Sequence, residues 1–159
     1  MAITVIDSPI GPLALTAGPA GLVRIDFGPV AGGPDPGDDP ASVAVVGQAA
    51  AELEEYFAGR RRRFTVALDR SGRRGFRGDV LDALESVRYG ETISYGELAA
   101  EAGRPGAARA VGTTMATNPL PIVVPCHRVT RSGGVLGRYG GGTDTKERLL
   151  RLEGALPAR

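Results

Sequence analysis

A single cysteine stands beside a single histidine, Cys126-His127, in a chain of 159 residues. One cysteine excludes an internal disulfide. One cysteine with one histidine also excludes a structural zinc site, whether of four cysteines or of two cysteines and two histidines. The chain must therefore hold itself together by burying apolar side chains. At 42% apolar it has enough for one domain, or for two small ones.

The next question is what the pair does. A lone cysteine after an apolar run is most often a small buried hydrophobe. As a nucleophile it would need a base. Ile122-Val123-Val124-Pro125 leads into it and reads as extended. In an extended segment neighbouring side chains point to opposite faces, so Cys126 and His127 would not touch. A dyad then needs a local turn, or a water between thiol and imidazole. If His127 is the base, a third group must orient it. The acids available in this half are Glu91, Glu97, Glu101, Asp144, Glu147 and Glu153.

Charge is distributed unevenly behind a net value of +1. Residues 1–90 carry 10 basic and 12 acidic side chains, and residues 91–159 carry 9 and 6. From Ala102 to Thr143 there is no acid, while Arg104, Arg109, Arg128, Arg131 and Arg138 fall inside that stretch. A local positive field of this kind suits a nucleic-acid backbone, and a solvated face that lacks acids is the equal alternative. No apolar run approaches the roughly 18 residues of a membrane span. No basic leader precedes an apolar core at the start, so no signal peptide is expected. A free thiol fits a reducing cytosol.

Periodicity changes along the chain. Residues 2–8, 13–17 and 22–27 are short β-branched runs split by Pro9-Ile10-Gly11-Pro12 and Gly18-Pro19-Ala20-Gly21, which predicts an antiparallel meander. Residues 28–40 hold four Gly and four Pro and form a loop. Ala49, Leu53, Tyr56 and Phe57 recur at helical spacing within 42–58. Arg60 to Arg63 read as a solvated edge before a strand-like Phe64–Leu68, and residues 69–75 suit a domain boundary.

The second half reads as helical. Phe76, Val80, Leu84 and Val87 share one helix face. Ser94-Tyr95-Gly96-Glu97 has the form of a capping box opening a helix to about Glu101. Gly103 ends it, and Pro105 suits the first turn of another helix to about Thr117. Two short helices with a Gly-containing turn make a helix-turn-helix candidate. Arg109 on the second helix has only small residues at its helical neighbours Pro105, Gly106, Gly112 and Thr113, so this face can approach another surface closely. A helix in a DNA groove with one protruding Arg would use it, as would an Ala/Gly-rich helix packed on something else. Thr143–Lys146 opens a last helix, with Leu149 and Leu152 inward and Gly154 as its stop.

These pieces carry a resemblance. Gly90-Glu91-Thr92-Ile93-Ser94-Tyr95-Gly96-Glu97-Leu98-Ala99, Ala107-Ala108-Arg109-Ala110-Val111-Gly112, Asn118-Pro119, Pro125-Cys126-His127-Arg128-Val129, Tyr139, Lys146, Leu149-Leu150 and Glu153-Gly154 stand in this order. Together they resemble the O6-alkylguanine-DNA alkyltransferase family over about residues 76–159. Val5–Leu13 resembles the family's opening strand more loosely.

The resemblance implies an α+β fold. A ribonuclease H-like β-meander domain with one helix (1–72) would precede a mainly helical domain with a helix-turn-helix (73–159). It implies direct, irreversible transfer of the alkyl group from O6-alkylguanine, and from O4-alkylthymine, to Cys126 in one turnover. It assigns a water-bridged relay from Cys126 to His127, with His127 held by Glu153 and the preceding turn braced by Asn118. Tyr95 would act toward guanine N3 and help rotate the nucleotide's phosphate. Arg109 would fill the gap left by a flipped base. Ala108, Ala110, Thr114, Ser94 and Tyr95 would meet DNA through the minor groove. Val129, Tyr139, Gly140 and Met115 would line the pocket, with Lys146 near the catalytic tyrosine. The partner would be double-stranded DNA bound by a monomer, with no cofactor, no metal and no membrane.

Leu81 stands where the family commonly has Trp and should be a core-packing change, while Arg77, Arg138 and the plain Gly140-Gly141-Gly142 depart from the family's usual residues and bear on the pocket lip and alkyl preference. A damage sensor without transfer, a thiol hydrolase and a helix-turn-helix regulator with a structural cysteine are the competing readings. An acceptor cysteine speaks against the first, and the lack of an oxyanion loop against the second.

Overall fold

The computed structural model describes residues 1–28, 30, 33, 35, 37–131, 136, 139 and 141–156. Gly140, Arg138 and parts of the loops expected at 28–40 and 131–143 lie outside the described residues. The chain is α+β and divides into two compact units, Met1–Ser71 and Gly72–Arg159.

In the first unit β1 (Ala2–Ile6), β2 (Leu13–Gly18) and β3 (Gly21–Phe27) form an antiparallel sheet in that order. The β2–β3 turn is tight because Gly21 takes a positive φ of 147°. A Cβ there would lie 2.7 Å from the Leu68 carbonyl carbon, so no other residue fits. α1 (Pro40–Phe57) starts at Asp39, whose carboxylate accepts from the Ser42 amide, with Pro40 in the first turn. Its buried Val46, Ala49, Leu53 and Tyr56 cover the sheet face that carries Leu13, Leu15 and Leu22.

Phe64–Leu68 does not become the expected strand. Only a parallel bridge joins Leu22 to Leu68. The buried Glu52 carboxylate takes the Thr65 and Val66 amides at 2.8 and 3.1 Å, donors a ladder would have needed. Arg60, Arg62 and Arg63 are exposed, as a solvated edge requires, and Arg61 bonds the Glu55 carboxylate.

In the second unit α2 (Gly75–Leu84) stops three residues short of Val87. Turn bonds such as Val87 N to Leu84 O carry the chain on, and Val87 is still buried. β4 (Ile93–Ser94) leads into α3 (Tyr95–Glu101) through the predicted capping box. Glu97 N donates to Ser94 Oγ at 3.0 Å, and Ser94 N donates to the Glu97 carboxylate at 3.1 Å. α4 (Ala108–Ala116) begins later than Pro105. Gly106 has φ 89°, which no helix tolerates, and Ala107 N closes a turn on Arg104 O instead. The connection between α3 and α4 is thus residues 102–107, longer than the sequence suggests.

Residues 122–125 are not extended either. Asn118 Nδ2 donates to Val124 O at 2.9 Å, and its Oδ1 accepts from Leu120 N at 3.1 Å. These bonds curl the segment and hold Ile122 at φ 75°. A β-branched residue there is strained by about 1–3 kcal/mol. Burial of Leu120, Ile122 and Val124 offsets it. A 3-10 turn (Cys126–Arg128) and β5 (Val129–Thr130) follow. β5 pairs in parallel with β4, Ile93 opposite Val129 and Ser94 opposite Thr130. α5 (Thr143–Leu152) closes the unit, burying Leu149 and Leu150 more fully than Leu152. Gly154 at φ 76° follows the cap residue Glu153.

Candidate active site

The 3-10 turn decides how the cysteine and histidine are presented. Successive side chains leave such a turn about 120° apart, so neighbours diverge without being in a strand. Cys126 is buried and His127 fully so. His127 Nε2 lies 2.7 Å from Glu153 Oε2, which picks Glu153 from the six candidate acids. His127 Nδ1 is buried with no hydrogen-bond partner among the described residues, so the thiol does not bond it directly.

Arg128 is the residue the sequence reading missed. It stands among the arginines of the acid-free stretch, yet it is buried and grips Glu153 with two bonds, Nε to Oε1 at 2.8 Å and Nη2 to Oε2 at 2.9 Å. Its third donor reaches Val87 O at 2.7 Å. The Glu153 carboxyl meets opposing effects. Burial pushes it up, and hydrogen bonds and charge from His127 and Arg128 overcome this and hold it at about 2. Glu153 is an anion at neutral pH, so it accepts the Nε2 proton. That fixes the neutral His127 tautomer with Nδ1 as a lone-pair acceptor. Burial holds the imidazole pKa below its ordinary value, partly opposed by Glu153, so the ring is neutral near pH 7.

The thiol is a protonated group at rest. Burial pushes Cys126 up, while the polar side chains of Asn118 and Tyr139 and the Lys146 charge pull the other way. Asn118 braces the loop that leads into the cysteine. Tyr139, pushed well up by burial and by Cys126, stays a neutral hydroxyl beside it. Lys146, the chain's only lysine, is fully buried on α5. Its Nζ donates to Val129 O at 2.5 Å and lies 5.9 Å from the Tyr95 ring centroid. Burial brings its pKa down to about 8. Tyr95 is half-buried, and burial raises its hydroxyl pKa.

α4 turns Val111, Thr114 and Met115 inward and leaves Arg109, Ala110 and Thr113 exposed, with Ala108 and Gly112 half-buried. Thr114 therefore departs from the expected groove face. It is buried and its hydroxyl donates back to Ala110 O at 3.0 Å. Met115 and Val129 are buried with it in the unit's core. Ser94 uses its side chain for the α3 cap. Arg77 donates to Thr117 O at 2.8 Å, closing the C-terminal end of α4. Leu81 is buried, so its departure is a packing change.

Among the described residues no His/Cys/Asp/Glu cluster could hold a metal, and no helix is long and apolar enough to cross a membrane.

Comparison with known proteins agrees over the whole length. Residues 1–70 match the ribonuclease-like domain of 6-O-methylguanine DNA methyltransferase, and residues 75–155 match its DNA binding domain. The methylated-DNA–protein-cysteine methyltransferase of Mycobacterium leprae is 42% identical over 154 residues, covering 93% of this chain and 89% of that protein. The protein of the same name from Methanosarcina acetivorans is 41% identical, covering 95% and 97%. The crystal structure of Mycobacterium tuberculosis OGT in complex with DNA superposes with a TM-score of 0.83 at 42% identity, covering 98% of this chain and 94% of that one.

Proposed function

The chain belongs to the 6-O-methylguanine DNA methyltransferase family, and from that premise we propose that it repairs O6-alkylguanine in DNA by moving the alkyl group onto Cys126. The observation that carries this reading is the His127 ring. Its Nε2 is tied to an ionised Glu153, and its buried Nδ1 is unpartnered among the described residues, in the turn that holds the chain's only thiol.

The chemistry follows from those groups. Sulfur attacks the alkyl carbon in line, the S–C bond forms and the C–O6 bond breaks, and its electron pair leaves on guanine. The thiol proton passes through a water to His127 Nδ1, and Glu153 stabilises the imidazolium. Tyr95 supplies a proton or hydrogen bond to guanine N3. An unperturbed thiol is about 3% ionised at pH 7, so a standing thiolate would gain at most about 30-fold. Burial has moved this thiol the other way. The rate must come from positioning, from proton removal during attack, and from stabilising the leaving base.

A guanine inside a duplex is out of reach, so it must be flipped. Arg109, exposed on a face of small residues, fills the gap, with Ala108 and Ala110 along the minor groove. Tyr139, Val129 and Met115 belong to the pocket, with Tyr139 close to the thiol. The thioether is not cleaved, so each chain works once, on O4-alkylthymine as well as O6-alkylguanine. It acts as a monomer in the reducing cytoplasm, where its one thiol stays free.

Incubation with duplex DNA carrying O6-methylguanine tests this. Mass spectrometry should find one methyl on the Cys126 peptide and plain guanine in the DNA. Lesion binding with no methyl gained would mean a sensor, and thioester turnover a hydrolase. Arg109→Ala should slow repair of duplex about 10-fold or more, and reaction with free O6-benzylguanine far less. Equal losses on the two substrates would remove Arg109 from flipping.

A further inference from the structure

The parallel pairing of β4 with β5 places two residues at one end of a two-stranded sheet. Ser94 lies opposite Thr130, and the residues that follow the two strands are Tyr95, the first of α3, and Arg131. Tyr95 is half-buried at the site, and Arg131 is exposed. Arg131 makes no hydrogen bond or ion pair with any described residue. No acid occurs from Ala102 to Thr143. The other arginines of that acid-free stretch are placed differently where described. Arg128 is held inside by Glu153, Arg104 lies over the Phe76 ring at 5.1 Å, and Arg109 projects from α4.

We propose that Arg131 binds a backbone phosphate of the DNA strand beside the extruded nucleotide, seating the duplex against Tyr95. This rests on the repair reading above. An uncommitted guanidinium offers a planar fork that matches two phosphate oxygens. Its place at the sheet end puts that fork next to the residue that meets the flipped nucleotide. Its field also reaches inward, favouring loss of a proton from both the Tyr95 hydroxyl and the Lys146 amine. A phosphate on Arg131 would screen that field from Lys146.

Arg131→Ala and Arg131→Lys variants test the proposal on the full chain. The first readout is binding to undamaged duplex DNA across a salt series. Each phosphate contact contributes about 0.9 to the slope of log affinity against log salt, so Arg131→Ala should lose about that much. Arg131→Lys should keep the slope, since charge sets it. The second readout is transfer. Arg131→Ala should lose about 10-fold with O6-methylguanine duplex, at least fivefold more than with free O6-benzylguanine. An unchanged salt slope would overturn the phosphate contact. Equal losses on duplex and free base would also overturn it, and would assign Arg131 to the chemistry through Tyr95. The salt slope needs no transfer, so it reads the contact even if the chain accepted no methyl.

Discussion

Cys126→Ala will take up no methyl group from O6-methylguanine duplex, while its affinity for that duplex stays within a few-fold of the parent. Nothing else in the chain can replace the sulfur. There is no second thiol, and the only lysine amine is engaged with the Val129 carbonyl. The binding surface is separate, since Arg109 and Ala110 are exposed on α4. Removing one sulfur from a buried position should cost about 1–2 kcal/mol, too little to unfold a typical domain. Intact-mass measurement after incubation with lesion duplex, with gel shift on the same duplex, checks both halves. Loss of binding together with transfer would mean that the cysteine is structural.

Glu153→Gln will do damage of another kind. Glu153 is the sole carboxylate bonded to Arg128 among the described residues, and Arg128 is buried with it. Neutralising one partner of a buried pair leaves the other charge uncompensated, at about 3–5 kcal/mol. The same interaction appears in acid. The folded carboxyl sits at about 2 against an ordinary 4.5. A depressed carboxylate contributes its stability above the unfolded value and loses it as pH falls. This contribution, on the order of 3 kcal/mol, is therefore complete above about pH 4.5 and gone near pH 2. Urea unfolding of the full chain at pH 7 should show the loss in Glu153→Gln, and the difference from the parent should shrink as pH drops toward 2. Transfer should fall as well, because Gln can present an N–H to Nε2 and reverse the tautomer. A difference that held constant with pH would mean that the pair contributes nothing through ionisation.

What could be read from the sequence was set by local chemistry. The meander showed in β-branched runs broken by Gly and Pro. The α3 start showed in Ser94 and Glu97, whose capping bonds span only three residues. The relay came from the family resemblance, which also singled out Glu153 among six acids. Missed features came from distant partners. Phe64–Leu68 has strand composition, but Glu52 on α1 takes its amides. Ile122–Pro125 has strand composition too, but the Asn118 side chain folds it back. Arg128 looked like every other arginine of an acid-free stretch. Only the approach of α5 gave it a carboxylate and a buried address. Periodicity reports what a residue prefers, and it cannot report which side chain arrives from elsewhere to claim its backbone.

Lys146 carries a practical consequence. That amine, the only lysine amine of the sequence, is enclosed. The one thiol is enclosed as well. A reactive electrophile diffusing in solvent therefore meets neither the lysine amine nor the thiol that such reagents usually find first. The sulfur is kept for a carbon that arrives attached to a base.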